Sequence, residues 1–153
     1  MTWSIIFHER SSGRIAIAVA TKFFAVGARV PNIEPQKGAV CTQAMTNPLY
    51  GPHGLRLIRE AVGAADVVRI LTTPDAGREH RQVHVMGADA KFAAHTGASN
   101  NATDTASHGK CSRRLGRFMV DRDCGGKPAI GQAPKQHDLT IFAASWRAQL
   151  TRP

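Results

Sequence analysis

The sequence has few cysteines, no long apolar run and no recognisable signal peptide, and each of these features excludes a class of protein. It has only three cysteines in 153 residues, an odd number that argues against a disulfide-stapled scaffold. No apolar run approaches the ~20 residues that a membrane-spanning helix needs. The N-terminus lacks the basic segment and long apolar core of a signal peptide. These absences predict a cytoplasmic protein that has no membrane partner.

Acidic residues are also scarce, 11 against 20 Lys and Arg, which gives a formal net charge of +9. A basic surface attracts phosphate, so a nucleic-acid partner has to be considered. More than half of the excess lies in residues 100–153, with 9 basic against 4 acidic residues. Aromatic residues make up 6% and do not alternate with basic ones as a base-stacking platform requires. We therefore predict no specific nucleic-acid partner.

The signatures of common cofactor sites are missing as well. There is no phosphate-binding loop, no dinucleotide fingerprint and no serine-containing nucleophile elbow. One loose set of metal-binding side chains is present, consisting of His108, Cys111, Cys124 and His137. Their intervals match no compact ligand motif. We predict no metal site and no cofactor.

What is present is the pattern of an α+β domain, with 42% hydrophobic and 20% charged residues and enough length for one core. Short apolar runs between turns predict antiparallel strands at about 2–8, 14–21, 38–44, 81–87 and 91–96. Apolar residues at spacings of three and four predict a helical region between about 52 and 73. Gly63 divides that region, which indicates two short helices or one broken helix.

Three segments carry finer expectations. The run 15–20 has no polar alternation, so a strand there should be covered on both faces. In the strand near residue 84, Gln82 and His84 alternate with Val83 and Val85, which predicts a half-exposed strand. The stretches 32–37 and 45–54 are rich in Pro, Gly and Asn, which predicts loops.

The second residue offers the strongest chemical hypothesis. Removal of Met1 would leave Thr2 with a hydroxyl and a free α-amine, a known arrangement for activating a nucleophile. Lys22 is the nearest candidate in sequence for an electrostatic partner that lowers the pKa of that amine. Backbone N–H groups near Gly38 or Asn47 are the expected oxyanion donors. The alternative is structural, because Thr is also a good strand residue.

Four motifs in one order carry a family resemblance. They are TWSI at the start, AVATKFFAVGARVP, GAVCTQAMTNPLYGPHGL, and GREHRQVHVMGADAKFAAHTG. Together, over residues 1–98, they resemble domain-of-unknown-function family 1028, which is placed among the N-terminal-nucleophile (Ntn) hydrolase folds. The resemblance implies an α+β fold, an αββα sandwich of two antiparallel sheets with outer helices. Fold by itself does not dictate function.

Three further residues are predicted to bind substrate. Asn47 and Tyr50 fall in the stretch 45–54, and loops on a rigid scaffold often carry sites. His95 lies at a strand end, and the resemblance implies a substrate-binding role for it. The structural alternatives are that Asn47 forms a turn before Pro48 and that His95 is a satisfied strand residue.

Beyond residue 98 the character of the sequence changes. Residues 99–153 have no sustained period of 2 or 3.6, and they do not follow the family pattern of further strands and a helix. A reading-frame disruption near Ser99 and a natural divergent ending both explain this. We predict that residues 99–138 are mostly irregular and that the sandwich is incomplete.

These observations lead to two hypotheses of different classes. The first is an Ntn-type hydrolase that cleaves an amide bond of a small-molecule or peptide substrate through Thr2, with little or no turnover if later elements are missing. The second is a non-catalytic Ntn-like binding or assembly module, or a truncated remnant. A shortage of covering elements also predicts either marginal stability or self-association into a homo-oligomer.

Overall fold

The computed structural model describes residues 2–9, 12–100, 105–111 and 116–122, and for the last two ranges it describes strand pairing alone. Within these ranges the elements are eight β-strands and three α-helices, with a 3₁₀ turn at Arg78–His80 between α3 and β5. In chain order these are β1 (Thr2–Glu9), β2 (Ile15–Thr21), α1 (Val26–Arg29), β3 (Pro31–Glu34), β4 (Gly38–Ala44), α2 (Tyr50–Arg59), α3 (Ala64–Thr72), β5 (Arg81–Met86), β6 (Phe92–Thr96), β7 (Thr105–Cys111) and β8 (Gly116–Arg122).

The strands form two antiparallel sheets that pack face to face. The first sheet has the order β2-β1-β8-β7, and the second has the order β3-β4-β5-β6. Helices α2 and α3 lie on the outer face of the second sheet. The predicted α+β sandwich of two antiparallel sheets is therefore confirmed. Among the described residues, no α-helix longer than α1 lies on the first sheet, and none is long and apolar enough to cross a membrane.

The hydrophobic core has two parts, one on each face of the second sheet. Val40, Val83 and Val85 pack beneath the two helices, whereas Ala39 and Met86 pack against Ile6 of the first sheet. This division follows from the strand period of 2, which sends successive side chains to opposite faces. The second sheet is therefore the central layer of the described structure, and its middle strands β4 and β5 are buried over most of their length.

The space between the sheets changes character along the strands. At one end it is apolar, with Ile6 and Met86 fully buried. Two residues further along the same faces, Ser4 and His84 replace them, and both are fully buried as well. The sequence thus places a polar layer inside the sandwich, close to the end where β1 begins.

Most of the predicted elements are confirmed. The five expected strands are present as β1, β2, β4, β5 and β6, and the broken helix is the pair α2 and α3. Gly63 is the N-cap residue of α3, with extended backbone angles, which is where the helical pattern was expected to break.

Two expectations about exposure are wrong. The strand β2 is the edge strand of its sheet, and Ala16 and Ala18 are exposed, because one face of β2 looks outward. The strand β5 is not half-exposed, because Gln82 and His84 are both fully buried between the sheets. Alternation shows which residues share a face, but it does not show whether another layer covers that face.

The two predicted loops are shorter than expected. Residues 31–34 form β3, which is an edge strand. Pro31 is tolerated there because an edge strand does not require every residue to donate a backbone N–H to a neighbouring strand. The stretch 45–54 turns into α2 at Tyr50. Gly51 and Gly54 are there for close approach, since a Cβ would lie 2.3 Å from Asn32 Oδ1 and 2.8 Å from Val40 Cγ2 respectively.

The expectation of an irregular segment over residues 99–138 is wrong at two places. The strands β7 and β8 pair with each other, and β8 pairs with β1 from Trp3 to Glu9. The first sheet consequently has strands on both sides of β1, which local periodicity did not reveal. Residues 123–138 lie outside the part of the chain that the structure describes, and the reading-frame disruption stays a prediction.

Candidate functional site

An open cleft lies where β1 begins and β2 ends, and we call it the Thr2 cleft. Its volume is about 630 Å³, and Thr2, Lys22, Gln43 and Arg81 are among the residues that line it. Thr2 stands opposite Thr21 in the β1–β2 ladder. The two residues predicted to be catalytic, Thr2 and Lys22, therefore line one cleft.

The hydroxyl of Thr2 belongs to a short chain of hydrogen bonds at the cleft wall. Thr2 Oγ1 donates to Thr21 Oγ1 over 3.0 Å, and Thr21 Oγ1 accepts the backbone N–H of Phe23 over 3.3 Å. Thr21 is buried, whereas Thr2 is partly exposed. Because Thr2 acts as donor in this contact, the lone pairs of its oxygen are not engaged by it.

The opposite wall of the Thr2 cleft contains a strained backbone position. Ala44 ends β4 with φ of 63°, the left-handed region that a non-glycine residue rarely adopts. The turn lets Met45 N donate to His80 O and Thr46 N donate to Ala44 O. Such strain persists where the surrounding structure holds it, and functional sites are one common location.

Behind the cleft, the polar layer between the sheets forms a single directed chain of hydrogen bonds. His84 Nε2 donates to Ser4 Oγ over 2.9 Å, and Ser4 donates to Gln43 Oε1 over 2.8 Å. Gln43 Nε2 then donates to Gln82 Oε1 over 2.8 Å, and Gln82 Nε2 to Thr96 Oγ1 over 3.2 Å. Gln43 belongs to both this chain and the lining of the cleft, so the chain fixes the amide of Gln43 there.

The same chain defines the protonation state of His84. Burial lowers the pKa of His84 to about 3, so the imidazole is neutral at physiological pH. Its Nε2 carries the proton, because the Ser4 hydroxyl already donates to Gln43. The other ring nitrogen, Nδ1, is buried without a hydrogen-bond partner in the described part of the chain, which suits an unprotonated nitrogen better than an N–H donor.

A second cleft, of about 530 Å³, lies beside α2 and the end of α3, and Asn47, Tyr50 and Asp75 line it. Asp75 Oδ2 accepts hydrogen bonds from Tyr50 OH at 2.7 Å, Asn47 Nδ2 at 3.2 Å and Arg81 Nε at 2.6 Å. The backbone N–H of Gly77 donates to Asp75 Oδ1 at 2.8 Å. We call these five residues the Asp75 cluster.

The Asp75 cluster holds its charges firmly. The hydrogen bond from Tyr50, followed by those from Arg81 and Asn47, keeps the pKa of Asp75 well below its usual range. Burial, together with the hydrogen bond to Asp75, raises the pKa of Tyr50 well above its usual range. The cluster therefore stays an ionised carboxylate and a neutral phenol over a wide range of pH.

The structure thus separates the residues that the sequence singled out. Thr2 and Lys22 line the Thr2 cleft, whereas Asn47 and Tyr50 line the second cleft and bind Asp75. His95 lines neither cleft, and its Nε2 donates to the carbonyl of Arg78 over 3.1 Å. The roles assigned to these residues stay predictions.

Sequence reasoning missed the buried chain of hydrogen bonds and the part that Gln43 and Asp75 play. The period of β4 and β5 contained a usable signal, because Gln43, Gln82 and His84 all lie on the same faces as core residues. Neither Gly38 nor Asn47 lines the Thr2 cleft. Their positions therefore do not support the prediction that backbone N–H groups near them stabilise an oxyanion formed at Thr2. The side chains of His108, Cys111, Cys124 and His137 lie outside the described part of the chain.

Comparison with known proteins gives a family and a related structure. A family described as "Family of unknown function (DUF1028)" matches residues 2–124. The chain is similar to the crystal structure of protein SPO2555 from Silicibacter pomeroyi, which carries the same family description. The TM-score is 0.68 and the sequence identity 27%, with 78% of this chain and 54% of that chain covered. The chain thus spans about half the length of that structure, and no curated protein matches it.

Proposed function

Because the chain belongs to the DUF1028 family of unknown function, we propose an activity from its own geometry: an Ntn-type hydrolase that cleaves an amide bond of a small-molecule or peptide substrate. Thr2, freed by removal of Met1, is the nucleophile. The observation that carries this assignment is the position of the Thr2 hydroxyl, at the wall of an open cleft that Lys22 also lines. The expected cytoplasmic location and homo-oligomer stay predictions.

The proposed reaction uses the two groups of one residue. The α-amine of Thr2 takes the hydroxyl proton, directly or through one water, as Oγ forms a bond to the amide carbonyl carbon. The C–N bond then breaks, and the nitrogen takes the proton and leaves as an amine. Water hydrolyses the resulting Thr2 ester, which releases the acid and restores the hydroxyl.

Two neighbouring groups support this chemistry electrostatically. Lys22 is a cation in the same cleft, and a nearby positive charge lowers the pKa of an amine and keeps it available as a base. Gln43 donates one Nε2 proton to Gln82, and its second Nε2 proton is assigned to the oxyanion of the tetrahedral intermediate. A fixed amide donor is effective there because it needs no reorganisation during the reaction.

The test is turnover of an amide substrate panel by wild type, Thr2→Ala and Thr2→Ser, after intact mass has established that Met1 is absent. Thr2→Ala should lower turnover by at least ~10³-fold, whereas Thr2→Ser should retain part of it because a hydroxyl remains beside the amine. Lys22→Ala should have a weaker effect than Thr2→Ala, since a single electrostatic contact is typically worth ~10²–10³-fold. Equal turnover by wild type and Thr2→Ala, or retention of Met1, would reject the nucleophile.

That outcome would leave the second hypothesis, a binding or assembly module. The exposed apolar side chains near the Thr2 cleft give it some support, since Phe24 is 91% and Met45 66% exposed. A panel with no turnover in wild type, together with a concentration-dependent increase in molecular mass, would favour this reading over the hydrolase.

A further inference from the structure

The charge of the Thr2 cleft has one sign among the residues that the structure describes. Lys22, Arg29 and Arg81 line it, and no described Asp or Glu does. A cleft lined by one sign of charge concentrates field lines and raises the local concentration of the opposite ion. The cleft is therefore suited to an anionic ligand.

The three cations are not equivalent. Arg81 is paired with Asp75, with Nε 2.6 Å from Oδ2, so its charge is compensated outside the cleft. Lys22 and Arg29 have no carboxylate within ion-pair distance in the described part of the chain, although both are exposed. Two positive charges thus remain available to a ligand.

Arg29 has an aromatic neighbour, Phe23, that lines the same cleft. Its guanidinium carbon lies 5.4 Å from the centroid of the Phe23 ring, which is within the range of a cation–π contact. The backbone N–H of Phe23 in turn donates to Thr21 Oγ1, which accepts the hydroxyl of Thr2. One short chain of contacts therefore connects the guanidinium to the proposed nucleophile.

We propose that the substrate of the Thr2 cleft is an amide that also carries a free carboxylate, as in an N-acyl amino acid or the C-terminal end of a peptide. This deepens the proposed function and rests on it for the position of the scissile bond. Arg29 binds the carboxylate through its planar fork of N–H donors, and Lys22 adds a second charge. The carboxylate thereby orients the amide carbonyl toward Thr2.

The experiment measures binding separately from turnover. The probes are N-benzoylglycine, an amide with one carboxylate, and N-benzoylglycinamide, which is neutral and of nearly the same size. Both are titrated by NMR or calorimetry into wild type and into Thr2→Ala, which keeps the cleft but lacks the hydroxyl. We expect both proteins to bind the anionic probe at least about tenfold more tightly than the neutral probe, the effect of one charge-assisted hydrogen bond.

Matched variants show whether the two cations act locally. Arg29→Gln and Lys22→Gln should each weaken binding of N-benzoylglycine about tenfold and leave the neutral probe unaffected. Arg14→Gln and Lys37→Gln are the controls, because Arg14 and Lys37 are also exposed, have no ion pair among the described residues and line neither cleft. They should bind like wild type.

The outcomes separate this inference from the proposed function. Binding of the anionic probe without any amide hydrolysis would reject the hydrolase and keep the carboxylate site. Equal affinity for the two probes, no binding of the anionic probe at millimolar concentration, or an equal loss in the control variants would overturn the carboxylate site. Turnover of a neutral amide that is abolished in Thr2→Ala would still support the nucleophile.

Discussion

The Thr2 cleft and the cleft beside α2 both contain cationic and hydroxyl-bearing side chains, but they differ in whether those groups already bind one another. Around Asp75, a phenol, an amide and a guanidinium all donate to one carboxylate. In the Thr2 cleft, Lys22 and Arg29 have no carboxylate partner among the described residues. A cluster that satisfies itself stabilises the fold, whereas uncompensated charge in an open cleft is available to a ligand.

The largest expected loss of stability is that of Asp75→Ala, which tests whether the Asp75 cluster stabilises the fold. Asp75→Ala removes the acceptor of Tyr50, Asn47 and Arg81, so it should lower the free energy of unfolding by about 3 kcal/mol. Lys22→Ala removes a charge that has no partner in the described structure, so it should change stability by less than about 0.5 kcal/mol. Urea denaturation of both variants measures the difference, and equal losses would erase the distinction between the two clefts.

The polar layer behind the Thr2 cleft should also be required for stability. Ser4→Ala leaves His84 Nε2 and Gln43 Oε1 without their shared partner in a fully buried place, so we expect a loss of about 2–3 kcal/mol. Ser12→Ala is the control, because Ser12 is exposed and its hydrogen bonds, to Glu9 and from the backbone N–H of Arg14, lie on the surface. A Ser4→Ala variant as stable as the control would show that the buried chain contributes nothing.

The neutrality of His84 makes a prediction about pH. Its folded pKa of about 3 lies below the ordinary value of 6.5, so between these values the unfolded chain binds a proton that the folded chain does not. The free energy of unfolding should therefore be highest above pH 6.5 and fall on acidification, by up to ~1.4 kcal/mol per pH unit. Denaturation at several pH values above 4.5 avoids the range where carboxylates titrate, and His84→Gln should flatten the slope. An unchanged slope would assign the pH dependence to other groups.

The variant Tyr50→Phe, which should lose less stability than Asp75→Ala or Ser4→Ala, tests whether Tyr50 serves stability or ligand binding. Tyr50→Phe keeps the buried ring and removes one of several donors to Asp75, so it should cost about 1 kcal/mol. Because Tyr50 does not line the Thr2 cleft, ligand binding and turnover there should match wild type. A large loss of turnover in a stable Tyr50→Phe protein would support the substrate-binding role that the sequence suggested for Tyr50.

The elements that sequence alone predicted are those set by local order. The β1–β2 hairpin follows from two apolar runs around a short turn, and α3 follows from the spacing of Val67, Val68 and Leu71. Contacts between distant segments were not predictable in this way. The strand β8 pairs with β1 across more than a hundred residues, and nothing in its own periodicity marks that pairing.

The sequence likewise predicts part of the candidate site, namely the residues near the N-terminus, but not the contacts between distant segments. The prediction for Thr2 rests on its position directly after Met1, and the prediction for Lys22 rests on its closeness in sequence. The structure brings both residues to one cleft. The substrate-binding role predicted for Tyr50 rests on its position in a stretch that has the composition of a loop. Its actual partner is Asp75, which becomes a neighbour only when the start of α2 packs beside the end of α3.

The most direct test of the account is covalent capture of the nucleophile with a β-lactone, whose carbonyl is attacked by a hydroxyl as the ring C–O bond opens. After digestion with trypsin, mass spectrometry should find one adduct, as an ester on Thr2 in the peptide that ends at Arg10. The adduct should be retained in Tyr50→Phe and absent in Thr2→Ala. An adduct of equal yield in Thr2→Ala, or none in wild type that has lost Met1, would contradict the assignment of the chemistry to the Thr2 cleft.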